Sequence, residues 1–225
     1  MQEILEFSRP AGAGSLTEIT AALQDTAVAH SLDLNIGFER MLKDFGVLWM
    51  LVRCAVELRR LPVGALRLQT FLRKPSATSS IRDFSLFDEE GPCGTAMQCW
   101  VLADVKTRKI VNLKTIPMLW SLPAPAPERT AMLRRIPAPE AMTDAAVWTV
   151  APEEIDGNGH LNNVVYVRHA EALQDAPCTG LEIQFDRECF AGEVLRLQTA
   201  DGFVRGVKAD GAESFRCRFR KENAL

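Results

Sequence analysis

Between Glu153 and Tyr166 the chain reads Glu-Glu-Ile-Asp-Gly-Asn-Gly-His-Leu-Asn-Asn-Val-Val-Tyr, so Asp156, Asn158 and His160 alternate with two glycines. Glycine lets a backbone turn tightly or take left-handed conformations, and three polar side chains can then converge on a small volume. Asn162 or Asn163 can cap a helix starting after the loop. The free N–H groups and positive dipole end of such a helix suit a carbonyl oxygen that is gaining negative charge. Farther along, Asp186-Arg187-Glu188-Cys189 sets an acidic residue beside a cysteine. A carboxylate that orients an imidazole or a water is ordinary equipment for acyl hydrolysis, which is what Glu188 would provide if paired in space with His160.

Blander readings compete with this one. The first stretch can be a polar turn with an Asx cap, and Glu188 a solvated strand end. Asp156-x-Asn158 also begins like a calcium loop, but such a loop needs Gly at its sixth position and Glu at its twelfth. Leu161 and Val167 stand there instead, which excludes it. His30 and His169 give His160 no ligand spacing, and no cysteine pair lies nearby, so neither a metal nor another cofactor is expected.

The elements that must position these residues repeat along the chain. Ser15-Leu-Thr-Glu18 has the form of a capping box. Leu16, Ile19, Leu23, Ala27 and His30 follow on one helical face. From Trp49 to Arg59 the period changes to two, as in a half-buried strand. Leu66 to Leu72, Ile81 to Phe87 and Thr95 to Ala103 continue as strands, and Ile4 to Phe7 reads as a short first one. Prolines punctuate residues 117–142, which read as a linker with a helical turn around Met132. Then the order returns: a strand at Ala146 to Val150, a helix at Asn162 to Leu173, and strands at Leu181 to Cys189, Val194 to Thr199, Phe203 to Val207 and Ser214 to Phe219. Leu66-Arg-Leu-Gln-Thr70 recurs as Leu195-Arg-Leu-Gln-Thr199, in the same place within each copy. The chain is a duplication, an α+β unit over residues 1–116 and another over 143–225, each with one helix covering an antiparallel sheet.

Composition narrows the function. Of 225 residues, 47% are hydrophobic and 24% charged, enough for a real core. No apolar run approaches a membrane span, and the first residues lack the regions of a secretory signal. The net charge of -3 argues against a general nucleic-acid binder. Six cysteines without a C-x-x-C pair read as reduced thiols in a cytoplasmic protein. Basic clusters at Arg59-Arg60, Arg73-Lys74, Lys106 to Lys109 and Arg134-Arg135 are solvated edges or a docking surface for an acidic partner.

Asp156-x-Asn158-x-His160-x-Asn162-Asn163-Val164-x-Tyr166 and Arg187-Glu188-Cys189 resemble the D-x-N-x-H-x-N-N-V-x-Y and R-E-C motifs of the plant and bacterial acyl-ACP thioesterases. Leu23-Gln24-Asp25, Trp49, Arg60-Leu61-Pro62, Arg82-Asp83-Phe84, Trp100-Val101-Leu102 and Thr107-Arg108-Lys109 resemble the family in the same order. The resemblance implies a tandem hotdog, with an acyl tunnel in the first copy and catalysis in the second. It implies release of free fatty acid from acyl carrier protein. It also implies a catalytic group of Asp156, Asn158, His160 and Glu188, with Cys189 as the alternative nucleophile. Position 169 is His where the plant enzymes usually carry Trp. A hotdog acyl-CoA thioesterase, or a silent acyl-binding protein, is the rival reading. A duplicated chain can satisfy internally the pairing that single hotdogs make by dimerising, so monomer and homodimer both stay open.

Overall fold

In a computed structural model, which describes residues 5–9, 14–124 and 132–221, the alternating stretches become strands of one antiparallel sheet. The first copy supplies β1 (Leu5–Arg9), β2 (Val47–Leu58), β3 (Leu66–Leu72), β4 (Ser80–Asp88) and β5 (Gly91–Asp104). The second supplies β6 (Thr143–Thr149), β7 (Cys178–Phe185), β8 (Val194–Ala200), β9 (Phe203–Lys208) and β10 (Glu213–Lys221). Their spatial order, β1-β3-β4-β5-β2-β7-β10-β9-β8-β6, reads as the same pattern from either end. The seam is the antiparallel pair β2–β7, with Arg53 opposite Gln184 and Glu57 opposite Gly180. The repeated pentapeptides occupy β3 and β8, which pair with the two edge strands β1 and β6.

Helices cover one side of this sheet. Ser15 caps α1 (Leu16–Asp33), its hydroxyl accepting the Glu18 N–H at 3.1 Å. The Glu18 carboxylate reaches back to the Gly14 N–H at 3.2 Å, one residue short of the capping box expected from sequence. Leu16, Ile19, Leu23, Ala27 and His30 are buried, as their spacing predicts. In the second copy α3 (Asn163–Glu171) starts from an Asn162 cap whose side-chain oxygen accepts the Val164 N–H at 3.0 Å. Val165, Tyr166, Val167 and Ala170 of α3 share one core with α1, β2, β3, β4, β7 and β10.

A carboxylate joins the helices. Glu171, in the last turn of α3, accepts the Leu16 N–H at 2.7 Å, the Thr17 N–H at 2.9 Å and the Thr17 hydroxyl at 2.6 Å. A negative charge is unfavourable at the end of its own helix but favourable at the start of α1, where unpaired donors need an acceptor.

Several expectations need correction. The second helix is shorter than Asn162 to Leu173, ending at Glu171. A helix unforeseen from sequence, α2 (Phe38–Phe45), precedes β2 and ends on Gly46 in the left-handed region. Its two turns bury only Met41, while Phe38, Leu42 and Phe45 lie exposed, so apolar periodicity marked no core-facing stripe. The strand expected through Cys189 ends at Phe185, leaving Arg187-Glu188-Cys189 on irregular chain. Met132 itself is not helical; single 3-10 turns occur earlier, at Leu113–Thr115 and Pro117–Trp120. They pack Leu113, Ile116 and Leu119 into a second small core with Leu72 and Leu102. Ile4 and residues 125–131 lie outside the described residues. The linker then crosses the side of the seam opposite α1 and α3, where Arg53 donates to the Leu133 carbonyl at 2.8 Å and Arg216 to that of Ile136 at 2.9 Å.

Under the end of α1, Arg82 is 2% exposed and meets His30 Nδ1 at 2.6 Å, Ser31 at 3.1 Å and Thr70 at 3.4 Å. Burial, and then the charge of Arg82, lower the His30 pKa to about 4, against a partial opposing pull from Asp33. A base that protonates less easily when folded favours the unfolded chain as pH falls. The His30 contribution is therefore complete above about pH 6.5 and drains away toward pH 4. The melting temperature should fall between pH 7 and pH 5, with a shallower slope in His30→Gln. Glu171→Gln leaves one acceptor oxygen for three donors and should lower stability by about 1–2 kcal/mol, read by urea denaturation.

Candidate active site

The loop with the alternating glycines is a tight hairpin. The Glu154 carbonyl accepts the Asn162 N–H at 3.0 Å, Ile155 and Leu161 form a β-bridge, and the Asp156 N–H donates to the His160 carbonyl at 2.7 Å. At the tip Gly159 has a φ of 81°, a left-handed conformation that glycine takes without a steric cost. The Asp156 carboxylate folds back into the hairpin, accepting the Asn158 N–H at 2.8 Å and the His160 N–H at 3.2 Å. It also faces the Asn158 side-chain amide at 3.4 Å. Asp156 thus fixes the backbone under Asn158 and His160 rather than the imidazole itself.

One backbone bond carries the hairpin to the second motif: the Leu161 N–H donates to the Cys189 carbonyl at 2.8 Å. The residue before each partner, His160 and Glu188, is thereby brought to the same place. His160 Nε2 lies 3.5 Å from Glu188 Oε2, with both side chains nearly a quarter exposed. The Phe190 ring stands edge-on to the imidazole at 5.3 Å. Lys208 holds the Glu188 carbonyl at 3.0 Å, leaving its carboxylate to other partners. One of these comes from the first copy, because Arg108, left-handed at φ 59° in the turn after β5, forms an ion pair with that carboxylate.

Cys189 points the other way. It is fully buried, with its sulfur 3.0 Å from the Ser214 hydroxyl, which in turn donates to the Arg187 carbonyl at 2.8 Å. Burial pushes its thiol pKa up, against hydrogen bonds from Ser214 and Tyr166, so the reactive thiolate is disfavoured. The Glu188 and Cys189 side chains diverge because this segment turns as irregular chain after β7.

Of the residues singled out from sequence, His160 and Glu188 are in contact, Asp156 braces the loop from within, and Asn158 is exposed at its tip. Two residues near the site were missed. Arg108 lay in a basic run, where no local signal told a cross-copy contact from a solvated charge. Glu154, beside the exposed Glu153, is buried and accepts hydrogen bonds from four donors.

The family model described as the acyl-ACP thioesterase N-terminal domain matches residues 9–115. Among the curated proteins nothing matches. An acyl-ACP thioesterase from Bacteroides thetaiotaomicron superposes with a TM-score of 0.80 at 20% identity, covering 97% of this chain and 98% of that one. The 12:0-ACP thioesterase from Umbellularia californica gives 0.76 at 16% identity, covering 96% of each chain. HtdX of Mycobacterium tuberculosis gives 0.60 at 11%, covering 98% of this chain and 100% of that one. At these identities the structures show a shared fold, the tandem hotdog, over the whole length. The match to that N-terminal domain falls within the first copy, and the likeness of fold runs through both copies.

Proposed function

We propose that this chain hydrolyses the thioester of fatty acyl-ACP, with His160 and Glu188 as the reacting pair and Asp156 and Asn158 as their support. The observation that carries this reading is the 3.5 Å approach of His160 Nε2 to Glu188, in the hairpin that leads into α3. In this reaction a water held by Glu188 and His160 gives them a proton as its oxygen bonds to the thioester carbon. The carbonyl oxygen becomes negative, and N–H groups at the start of α3 stabilise it. The carbon–sulfur bond then breaks, and the proton passes to the departing thiolate. The products are the free acid and the carrier's thiol. As a variant, Glu188 attacks the carbon itself, and water cleaves the resulting mixed anhydride. Asn158 orients the reacting group.

The acyl chain belongs to the first copy (residues 1–116), on the core side of its sheet. There Leu66 joins the main core beneath α1. Trp49 gives its N–H to the Ile36 carbonyl at 2.9 Å, and Met97 lies beside Arg73. Residues 117–142 link this copy to the catalytic one (143–225). The six free thiols fit a reducing, cytoplasmic home.

For docking, the exposed run Lys106 to Lys109 is favoured over the other basic clusters, since its Arg108 already touches Glu188. Reversing Lys106 and Lys109 to Glu should raise KM on acyl-ACP and lower its salt sensitivity, with less change on acyl-CoA. An unchanged KM removes this surface from the proposal. Comparing hydrolysis of matched acyl-ACP and acyl-CoA also separates the two carriers, and no release from either leaves only acyl binding.

Glu188→Ala and His160→Ala should each lose about two orders of magnitude or more in kcat, as when a general base is removed. Cys189→Ala should keep substantial activity, because its carbonyl still binds Leu161. The kcat values are read beside a thermal melt. An inactive but folded Cys189→Ala, together with an active Glu188→Ala, would restore the cysteine as nucleophile.

A further inference from the structure

Glu154 sits where β6, the hairpin and α3 meet. One carboxylate oxygen accepts the Trp148 indole N–H and the Ala151 N–H, both at 3.0 Å. The other faces Arg168 at 2.6 Å and His169 Nε2 at 3.0 Å, both on α3. The His169 ring stacks on Trp148, their centroids 3.9 Å apart, so the two sides of the cluster are also in direct contact. In the backbone, the Glu154 carbonyl holds the Asn162 N–H that closes the hairpin. Residue 154 therefore grips the strand side with one oxygen, the helix side with the other, and the far stem of the hairpin with its main chain.

A buried carboxylate is costly unless its acceptor sites are filled. Here burial works against ionisation, but the hydrogen bonds from His169, Ala151 and Trp148 outweigh it and hold the Glu154 carboxyl below the usual carboxylate range. Packing alone gives no reason for such a group. A reacting imidazole does, because catalytic groups need placement to within a fraction of an ångström on a fixed support.

We propose that Glu154 is a positioning residue for hydrolysis, clamping the base of the 154–162 hairpin between β6 and α3 and so setting His160 against Glu188. This rests on the reading of His160 and Glu188 as the reacting pair. Glutamine tests it at constant size. Its amide has one acceptor oxygen, so either the strand-side or the helix-side donors must face an NH2 group.

Glu154→Gln should lower kcat about tenfold to a hundredfold, as misplacement of a reacting group does, with KM for acyl-ACP changed less than about twofold. Hydrogen exchange of the Asp156, Gly159, Leu161 and Asn162 amides should quicken in the same protein. Glu171→Gln, which loosens the helix pair elsewhere, is the control: stability falls, but kcat and hairpin exchange stay at wild-type values. Trp148→Phe removes one donor and keeps the ring over His169. It should show a smaller change of the same kind, and it serves if Glu154→Gln does not fold. Wild-type kcat in folded Glu154→Gln overturns the proposal, as does a loss that Glu171→Gln matches at equal stability. A wild-type protein inactive on acyl-ACP and acyl-CoA removes the hydrolase reading instead, and the exchange rates still decide whether Glu154 holds the hairpin.

Discussion

The pairing of β2 with β7 is the constraint from which the rest of the molecule follows. Each copy alone would leave an unpaired central strand edge, a row of donors and acceptors open to another chain. Joined edge to edge, the copies place those groups in one continuous sheet and close a single core beneath α1 and α3. The same seam lets residues of one copy serve the other. Glu171 of the second copy caps α1 of the first, and Arg108 of the first pairs with Glu188 of the second. The site is therefore not the property of one half, even though its motif is.

Within the site a backbone bond does what the motif alone does not reveal. Leu161 and Cys189 are far apart in sequence, and their N–H···O=C contact fixes the offset between hairpin and R-E-C segment. Because that contact uses the main chain, the cysteine side chain is free to turn inward toward Ser214. The position thus serves the structure through its main chain while its sulfur faces Ser214 and not the His160–Glu188 pair. A low-pKa thiolate would need a nearby cation or helix start, and this sulfur is instead shielded by burial.

What the sequence disclosed divides along physical lines. Strands of half-buried alternation were legible, since one buried face forces a period of two; β3 and β8 even repeat the same five residues. The apolar face of α1 and the Asn162 cap were legible for similar local reasons. α2 was not, because a two-turn helix that exposes most of its apolar residues carries no inward stripe. The end of β7 was missed because the strand stops where the chain turns to meet Leu161, a tertiary event. In the site, the hairpin's polar residues were visible as a group. The acceptors and cations that fix them, Glu154 and Arg108, were hidden among ordinary surface charges, since their partners come from other elements.

The duplication also bears on why the proposed chemistry would lie in one copy. Two helix starts arise from it, each with a polar N-cap: Ser15 before α1 and Asn162 before α3. Two residues before the caps stand Ala13 and His160, and three residues past β2 and β7 stand Leu61 and Glu188. The first copy therefore has neither imidazole nor carboxylate at the matching places. Its helix start is also taken, because the Glu171 carboxylate lies on the Leu16 and Thr17 N–H groups and already satisfies the positive dipole end. At α3 the cap is local, made by the Asn162 side chain at Val164. One helix start is committed to holding the copies together, and the other keeps its dipole directed at the hairpin, where a developing oxyanion would need it.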